Sequence, residues 1–194
     1  MKILITGGSG FIGTNLIQYY LDQGVDILNV DIKPPQNTNH NSRWIKCDIR
    51  HYEAFKRAIN SFCPEYIIHL AARANLTGKR IEDYSSNTIG VQNLIEIANK
   101  EQSIKKIIFT STMLVCKAGY QPKDENDYCP PNLYGESKVI GEKMVKSSRN
   151  ELNFKWTIIR PTSIWGPWFG QTYKGFFEMI MNHRYFNFTG HVSE

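Results

Sequence analysis

The sequence predicts an α/β fold, a doubly wound parallel sheet of about six strands with helices on both faces. Three observations predict it. Short apolar runs alternate with longer amphipathic ones along most of the chain. The first apolar run, KILIT, leads into the glycine-rich turn GGSGFIG, which opens a helical pattern. No internal repeat or low-complexity linker interrupts the alternation. Strands separated by helices pair in parallel through right-handed crossovers. The order for such a sheet is 3-2-1-4-5-6, with ligands at the carboxyl ends of the strands.

Residues 2–6 (KILIT) form the first buried strand. Residues 11–23 form a helix, because Ile12, Leu16 and Tyr20 recur at helical spacing, and Gly24 ends it. Residues 25–31 (VDILNVD) are the second strand, and a polar loop with Pro34 and Pro35 follows. Residues 43–47 are the third strand and residues 51–61 a helix. Strand four covers residues 66–71 (YIIHLA). Residues 87–100 are helical, with Val91, Leu94, Ile95 and Ala98 on one face. Strand five covers residues 105–111, and a loop containing Pro, Asp and Gly runs to about residue 130. A helix over 132–147 lies behind Pro130 and Pro131, residues that suit a helix start. Strand six covers residues 154–160 and is stopped by Pro161.

A chain of 194 residues suits one well-buried domain, and its 41% hydrophobic and 21% charged content is ordinary for a globular protein. The net charge of +5 mildly suits an anionic ligand, and a solvated basic surface is its simpler reading. No dense Lys/Arg run points to nucleic acid. Cys47, Cys63, Cys116 and Cys129 lack metal-ligand spacing and read as reduced thiols; no metal site is expected. The apolar stretch at the N-terminus is too short for a signal-peptide core, and no later run could span a membrane. The expectation is a cytoplasmic, soluble protein.

In GGSGFIG, Gly7 permits the tight turn out of strand one, Gly10 allows backbone to approach a pyrophosphate, and Gly13 lets the helix pack close to the strand. The helix start then turns free N–H groups and its positive dipole end toward the phosphates. Asp31, at the end of strand two, can accept both hydrogen bonds from an adenosine ribose diol and would repel a 2′-phosphate. Together these predict a Rossmann-type domain that binds NAD, with Lys33 nearby leaving NADP open. Two stretches have Tyr-x-x-x-Lys spacing, Tyr52 with Lys56 and Tyr134 with Lys138, and each puts its pair on one helix face.

These residues resemble the extended short-chain dehydrogenases, and among them the NAD-dependent sugar-nucleotide epimerases and dehydratases. The resemblance runs from Met1 to about Pro167. GGSGFIG, including Phe11 and Ile12, resembles the family's phosphate loop. CDIR resembles its pair near the adenine, which implies Asp48 and Ile49. HLAA resembles the segment lining the cofactor phosphates, which implies Leu70, Ala71 and Ala72. NTIGVQNLIEIA resembles a family helix that would face the cofactor with Asn87. STMLVC, LYGESK and RPTSIWGP resemble the Ser/Thr stretch, the catalytic helix and the segment after strand six, the last implying Pro161 at the cofactor. Order along the chain selects Tyr134 and Lys138, because the family's pair follows strand five. Tyr52 and Lys56 are then packing and surface residues.

The resemblance implies epimerisation of a nucleotide sugar. Tyr134 takes a hydroxyl proton as hydride leaves the same carbon, Lys138 holds the nicotinamide ribose, and Thr112 orients the substrate oxygen, with Ser111 as the alternative. A free phenol has a pKa of about 10, and lowering it by about three units needs about 4 kcal/mol. The Lys138 ammonium and the nicotinamide cation are the expected source. Where the family's 4,6-dehydratases carry an acidic pair, this chain has Met113 and Leu114, which argues against that elimination. Cys116 and Lys117 replace a common Tyr-Gly, and Glu125 has no assigned role. A reductase of the same superfamily and a non-catalytic dinucleotide-binding module remain open.

Relatives continue well past the Arg-Pro segment, so the chain reads as truncated or as a portion of a longer protein. The expectation is a dinucleotide-binding domain over residues 1–170 and the start of an incomplete substrate-binding region over 171–194, with a helix at about 172–182. Trp165, Trp168, Phe169, Phe176 and Phe177 are expected to mark a surface that a further part would cover. Cofactor binding with weak or absent turnover is expected for these residues alone, and a homodimer is expected only by analogy.

Overall fold

The computed structural model describes residues 1–170 and 174–184. The strands are β1 (Lys2–Thr6), β2 (Asp26–Asp31), β3 (Trp44–Lys46), β4 (Tyr66–His69), β5 (Lys106–Thr110) and β6 (Lys155–Ile159). They form one sheet in the order β3-β2-β1-β4-β5-β6, with every pair parallel. The helices are α1 (Phe11–Leu21), α2 (Tyr52–Phe62), α3 (Ser85–Ala98), α4 (Leu133–Ser147) and α5 (Lys174–Met181). Among the described residues no helix is long and apolar enough to cross a membrane.

Side chains of a strand alternate between faces, and the core divides accordingly. Leu4, Val30, Ile67 and Ile107 face α2, α3 and α4, where Phe55, Ile59 and Leu94 are fully buried. Ile3, Ile5, Ile27 and Ile68 face Ile17 of α1. Each fully buried aliphatic side chain contributes about 1.5–3 kcal/mol relative to exposure. Helices lie on both faces, as the alternation predicts, but unevenly. The link from β2 to β3 is a short 3₁₀ turn over Thr38–Arg43 rather than a helix, so α1 alone covers its side of the sheet in these clusters.

Two helices are set by residues that the periodicity did not reveal. The innermost residues of α1 are Gly13, Thr14 and Ile17, with Ile12, Leu16 and Tyr20 only half-buried. Gly13 is the reason: a Cβ there would meet Gly8 Cα at 2.4 Å, so the helix seats with that residue against the loop. Helix α4 is started by Asn132, whose side chain accepts from Gly135 N at 2.8 Å, with the two prolines just upstream.

The expected helix at 172–182 is present as Lys174–Met181; its proposed first residues and the chain from 185 onward lie outside the described residues. Trp165, Trp168, Phe176 and Phe177 are exposed. Phe169 is half-buried and packs edge-on against Phe11, with ring centroids 4.9 Å apart.

Candidate functional site

A parallel sheet ends all its strands on one edge, and the order reverses between β1 and β4, where the crevice for a ligand opens. The turn after β1 lies at that crevice. Gly7 has φ +73°, and a Cβ there would meet Ala71 N at 2.6 Å. The turn therefore touches the segment after β4, and Ala71 N–H donates to Thr6 Oγ1 at 3.2 Å. Helix α1 begins at Gly10 with no side chain capping it, so the N–H groups of its first turn are left for a ligand. Asp31 closes the crevice from β2. Its Oδ2 accepts from Ser9 N at 3.0 Å and its Oδ1 from Lys33 N at 2.9 Å. These bonds fix the carboxylate above the loop, and each oxygen keeps a further lone pair. A close-packed glycine loop, an uncapped helix start and a fixed carboxylate fit a dinucleotide.

The other residues implied at the cofactor have these partners in the fold. Ile49 is 4% exposed and packs beneath Gly90, where a Cβ would meet its Cδ1 at 2.3 Å. Its side chain is core. The Asp48 carboxylate is held by Arg50, at 3.0 Å from Nε and 2.6 Å from NH2, which keeps its pKa below the usual carboxylate value. Asn87 is buried at the contact of α3 with α4. Its Nδ2 donates to Arg73 O at 3.0 Å and Ser137 Oγ at 2.9 Å, and its Oδ1 accepts from Arg73 N at 2.8 Å. Its amide is committed to holding the loop after β4 against α4. Phe11 packs on Phe169, leaving its backbone as the part at the helix start. Pro161 accepts from Met113 N at 3.1 Å and joins the segment after β6 to the turn after β5.

The second half of the site is α4 against the end of β5. Tyr134 is half-buried beside Tyr84, with ring centroids 6.2 Å apart. The Thr112 hydroxyl is its hydrogen-bonding neighbour. Burial pushes the Tyr134 phenol up, Thr112 draws it down, and Tyr84 adds to the rise; the net is upward. The expected acidification calls on the Lys138 ammonium and the nicotinamide cation together; in the chain by itself, desolvation of the phenol wins. Lys138, one turn along, is 6% exposed and forms no hydrogen bond or ion pair with another described residue. Burial lowers its pKa to about 8, partly opposed by Glu142. Tyr52 contacts Lys100 Nζ at 3.4 Å rather than Lys56, and lies on α2.

The residue that organises this half is Glu142. It is 3% exposed and accepts from Ser111 Oγ at 2.5 Å, Tyr128 OH at 3.0 Å and Arg160 at 2.9 and 2.7 Å. Burial alone would raise its pKa; Arg160, Ser111 and Tyr128 outweigh that and hold it below the usual value. Ser111 is thus turned toward Glu142, which leaves Thr112 as the hydroxyl beside Tyr134. The sequence carried a signal for Glu142, since positions 134, 138 and 142 share one helical stripe. Glu125 acts through its backbone: its carbonyl accepts from Lys146 Nζ at 2.7 Å and Arg160 NH2 at 2.9 Å. Cys116 Sγ donates to Asp127 O at 3.5 Å and is a packed thiol.

A family model described as the NAD dependent epimerase/dehydratase family matches residues 3–186. A UDP-glucose 4-epimerase of Halalkalibacterium halodurans is 30% identical over 168 residues, covering 82% of this chain and 50% of that protein. A 3-beta-hydroxysteroid dehydrogenase of Mycolicibacterium neoaurum is 28% identical over 193 residues, covering 93% and 52%. The crystal structure of Thermus thermophilus UDP-glucose 4-epimerase in complex with NAD superposes with a TM-score of 0.69 at 26% identity, covering 82% and 54%. The chain spans about half the length of the curated relatives it matches.

Proposed function

This chain belongs to the NAD dependent epimerase/dehydratase family, and we propose that it binds NAD and carries the catalytic residues for epimerising a nucleotide sugar. The observation that carries the reading is the convergence of the Thr112–Tyr134 pair and the Lys138 ammonium on the edge that also holds the uncapped start of α1.

Gly7, Gly10, Gly13 and the first N–H groups of α1 would hold the pyrophosphate, with Leu70, Ala71 and Ala72 as the facing wall. Asp31 would take the adenosine ribose diol. Bound NAD supplies the hydride acceptor and a positive charge. Lys138 carries its own charge at neutral pH, because even its lowered pKa of about 8 lies above 7. It would donate to the nicotinamide ribose and favour the phenolate of Tyr134. Thr112 would hold the reacting sugar oxygen at hydrogen-bond distance, and Tyr134 would remove its proton. Asp48, Ile49, Asn87 and Pro161 would shape the walls through packing and backbone rather than through free polar groups.

Met113, exposed beside Thr112, and half-buried Leu114 cannot shuttle protons, which disfavours water elimination. The same apolar pair favours a second reading, a dehydrogenase for a non-sugar alcohol. The deciding experiment gives the chain NAD, then an excess of UDP-hexoses or a hydroxysteroid, and follows reduced nicotinamide by its absorbance. Reduction by the sugar that is lost in Tyr134→Phe, with NAD still bound, supports the epimerase reading. Reduction only by the steroid supports the second. A Tyr134→Phe variant that reduces NAD with either substrate as fast as wild type ends both.

A further inference from the structure

Behind Lys138, between the sheet and α4, lies a cavity of about 20 Å³. His69, Phe109, Ser111, Lys138 and Glu142 contribute to its walls. His69 is 2% exposed. Its Nδ1 pairs with Thr6 Oγ1 at 2.8 Å, while its Nε2 is buried with no hydrogen-bond partner among the described residues. Ser111 and Glu142 are already committed: Ser111 donates to Glu142, and the Glu142 oxygens receive Arg160 and Tyr128 as well. Three polar groups of the lining are left over, the His69 Nε2, the Thr110 Oγ1 and the Lys138 ammonium.

We propose that this cavity is a single-water site, and that His69 is a positioning residue which seats the Lys138 ammonium through that water. A water needs about 10–15 Å³ of such space and two or more polar partners. The cavity meets both needs. The water accepts one N–H of Lys138 and donates to Nε2, and the two remaining lysine donors are left for the ribose side. The imidazole then carries its proton on Nδ1, donating to Thr6 Oγ1, which also receives Ala71 N–H. Burial, with a smaller contribution from the Lys138 charge, holds His69 near a pKa of about 3, so it remains a neutral acceptor at working pH. The charged and titratable groups coupled to Lys138 are His69 of β4 and Glu142 of α4, with Arg160 acting on Glu142, and Tyr134 lies one turn before Lys138 on the same helix. The water site follows from the fold alone. Its use in catalysis rests on the role proposed above for Lys138.

The first test is a crystal structure of this chain at a resolution that shows waters, with ¹⁵N-histidine NMR of the same protein. One water bridging Lys138 Nζ and His69 Nε2, and an Nε2 without a proton, are expected. A dry cavity, a direct bond from Nζ to Nε2, or a protonated Nε2 overturns the proposal. The second test follows the Lys138 titration by ¹³C-lysine NMR in His69→Phe and His69→Gln. A hydrogen bond to a charged group is worth about one pKa unit or more. His69→Phe should therefore leave about tenfold less ammonium at a pH above the lysine's pKa, and His69→Gln should restore most of it. A Lys138 titration unmoved in His69→Phe also overturns the proposal. If His69→Phe does not fold, the wild-type crystal and spectrum decide. None of these measurements needs turnover, so failure here leaves the epimerase reading standing, and absent turnover leaves the water site standing.

Discussion

Glu142 accepts Arg160 Nε on Oε1 at 2.9 Å and Arg160 NH2 on Oε2 at 2.7 Å, a two-pronged bond between the middle of α4 and the end of β6. Because Ser111 donates to the same carboxylate, one buried anion ties β5, β6 and the helix bearing Tyr134 together. Removing one partner of a buried ion pair strands the other charge and costs about 3–5 kcal/mol. Glu142→Ala should lose that much stability in urea denaturation. Ser111→Ala should cost only about 1.5–3 kcal/mol, the worth of a hydrogen bond to a charged group. Equal losses in the two variants would mean that Arg160 does not depend on Glu142.

Lys138 makes stability depend on pH in a defined window. In the unfolded chain a lysine keeps its proton to about 10.5, whereas in the fold burial lowers the pKa to about 8. Between those values the unfolded state binds more protons, so stability rises with pH. This contribution is complete above the unfolded pKa and is lost as pH falls through the folded one. The full window corresponds to about 3 kcal/mol. Lys138→Met should be more stable than wild type at pH 7, by up to that amount, with the difference shrinking toward pH 10. Urea melts at several pH values in parallel read this out. A variant less stable than wild type at pH 7 would show that the ammonium has a partner that repays its burial.

The sheet order, the glycine loop and the Tyr–Lys stripe were legible because each has a local pattern: apolar runs ended by turn residues, glycines at fixed spacing, and one helical face. What was not legible depends on partners distant in sequence. The partners of Asn87 and Ile49 are of this kind: Asn87 is held by Arg73 and Ser137, and Ile49 fills the space that Gly90 leaves. Glu142 shares the stripe of Tyr134 and Lys138, but its role rests on Arg160, a partner from another element. Helix α2 ends at Cys63 in the left-handed region with φ 50°, a conformation cysteine does not advertise, although the following Pro64 disfavours helix there. The 3₁₀ turn at Thr38–Arg43 is polar and aperiodic, so nothing in its composition signals it.

Gly13 should separate loop geometry from mere substitution. A Cβ at this position would meet Gly8 Cα at 2.4 Å and Gly7 O at 2.7 Å, both backbone atoms that cannot rotate away. Gly13→Ala must displace the loop from the start of α1, and NAD affinity should fall at least about tenfold, equivalent to about 1.4 kcal/mol. Gly170→Ala meets nothing within 4 Å and should stay within about 0.5 kcal/mol of wild type. Calorimetric titration with NAD compares the two. Unchanged affinity in Gly13→Ala would remove the pyrophosphate from this loop.

Tyr134 supplies the sharpest prediction about chemistry. In the chain alone, burial raises its pKa, and the Thr112 hydroxyl offsets only part of the rise. A phenol in that condition is a poor base at neutral pH. If it is the base, the charge on the oxidised nicotinamide must overcome that burial, and the Tyr134 pKa must fall when NAD binds. Ultraviolet difference titration of wild type against Tyr134→Phe, with and without NAD, isolates this one tyrosine. The drop should be absent with reduced NAD, whose ring is neutral. Thr112→Val should raise the pKa further, because it removes the one favourable hydrogen bond. Loss of a positioned base costs about 10²–10⁴ in rate, so Tyr134→Phe should slow nicotinamide reduction by that factor while NAD affinity is kept. A Tyr134 pKa that stays high with oxidised NAD bound would move proton abstraction to another group.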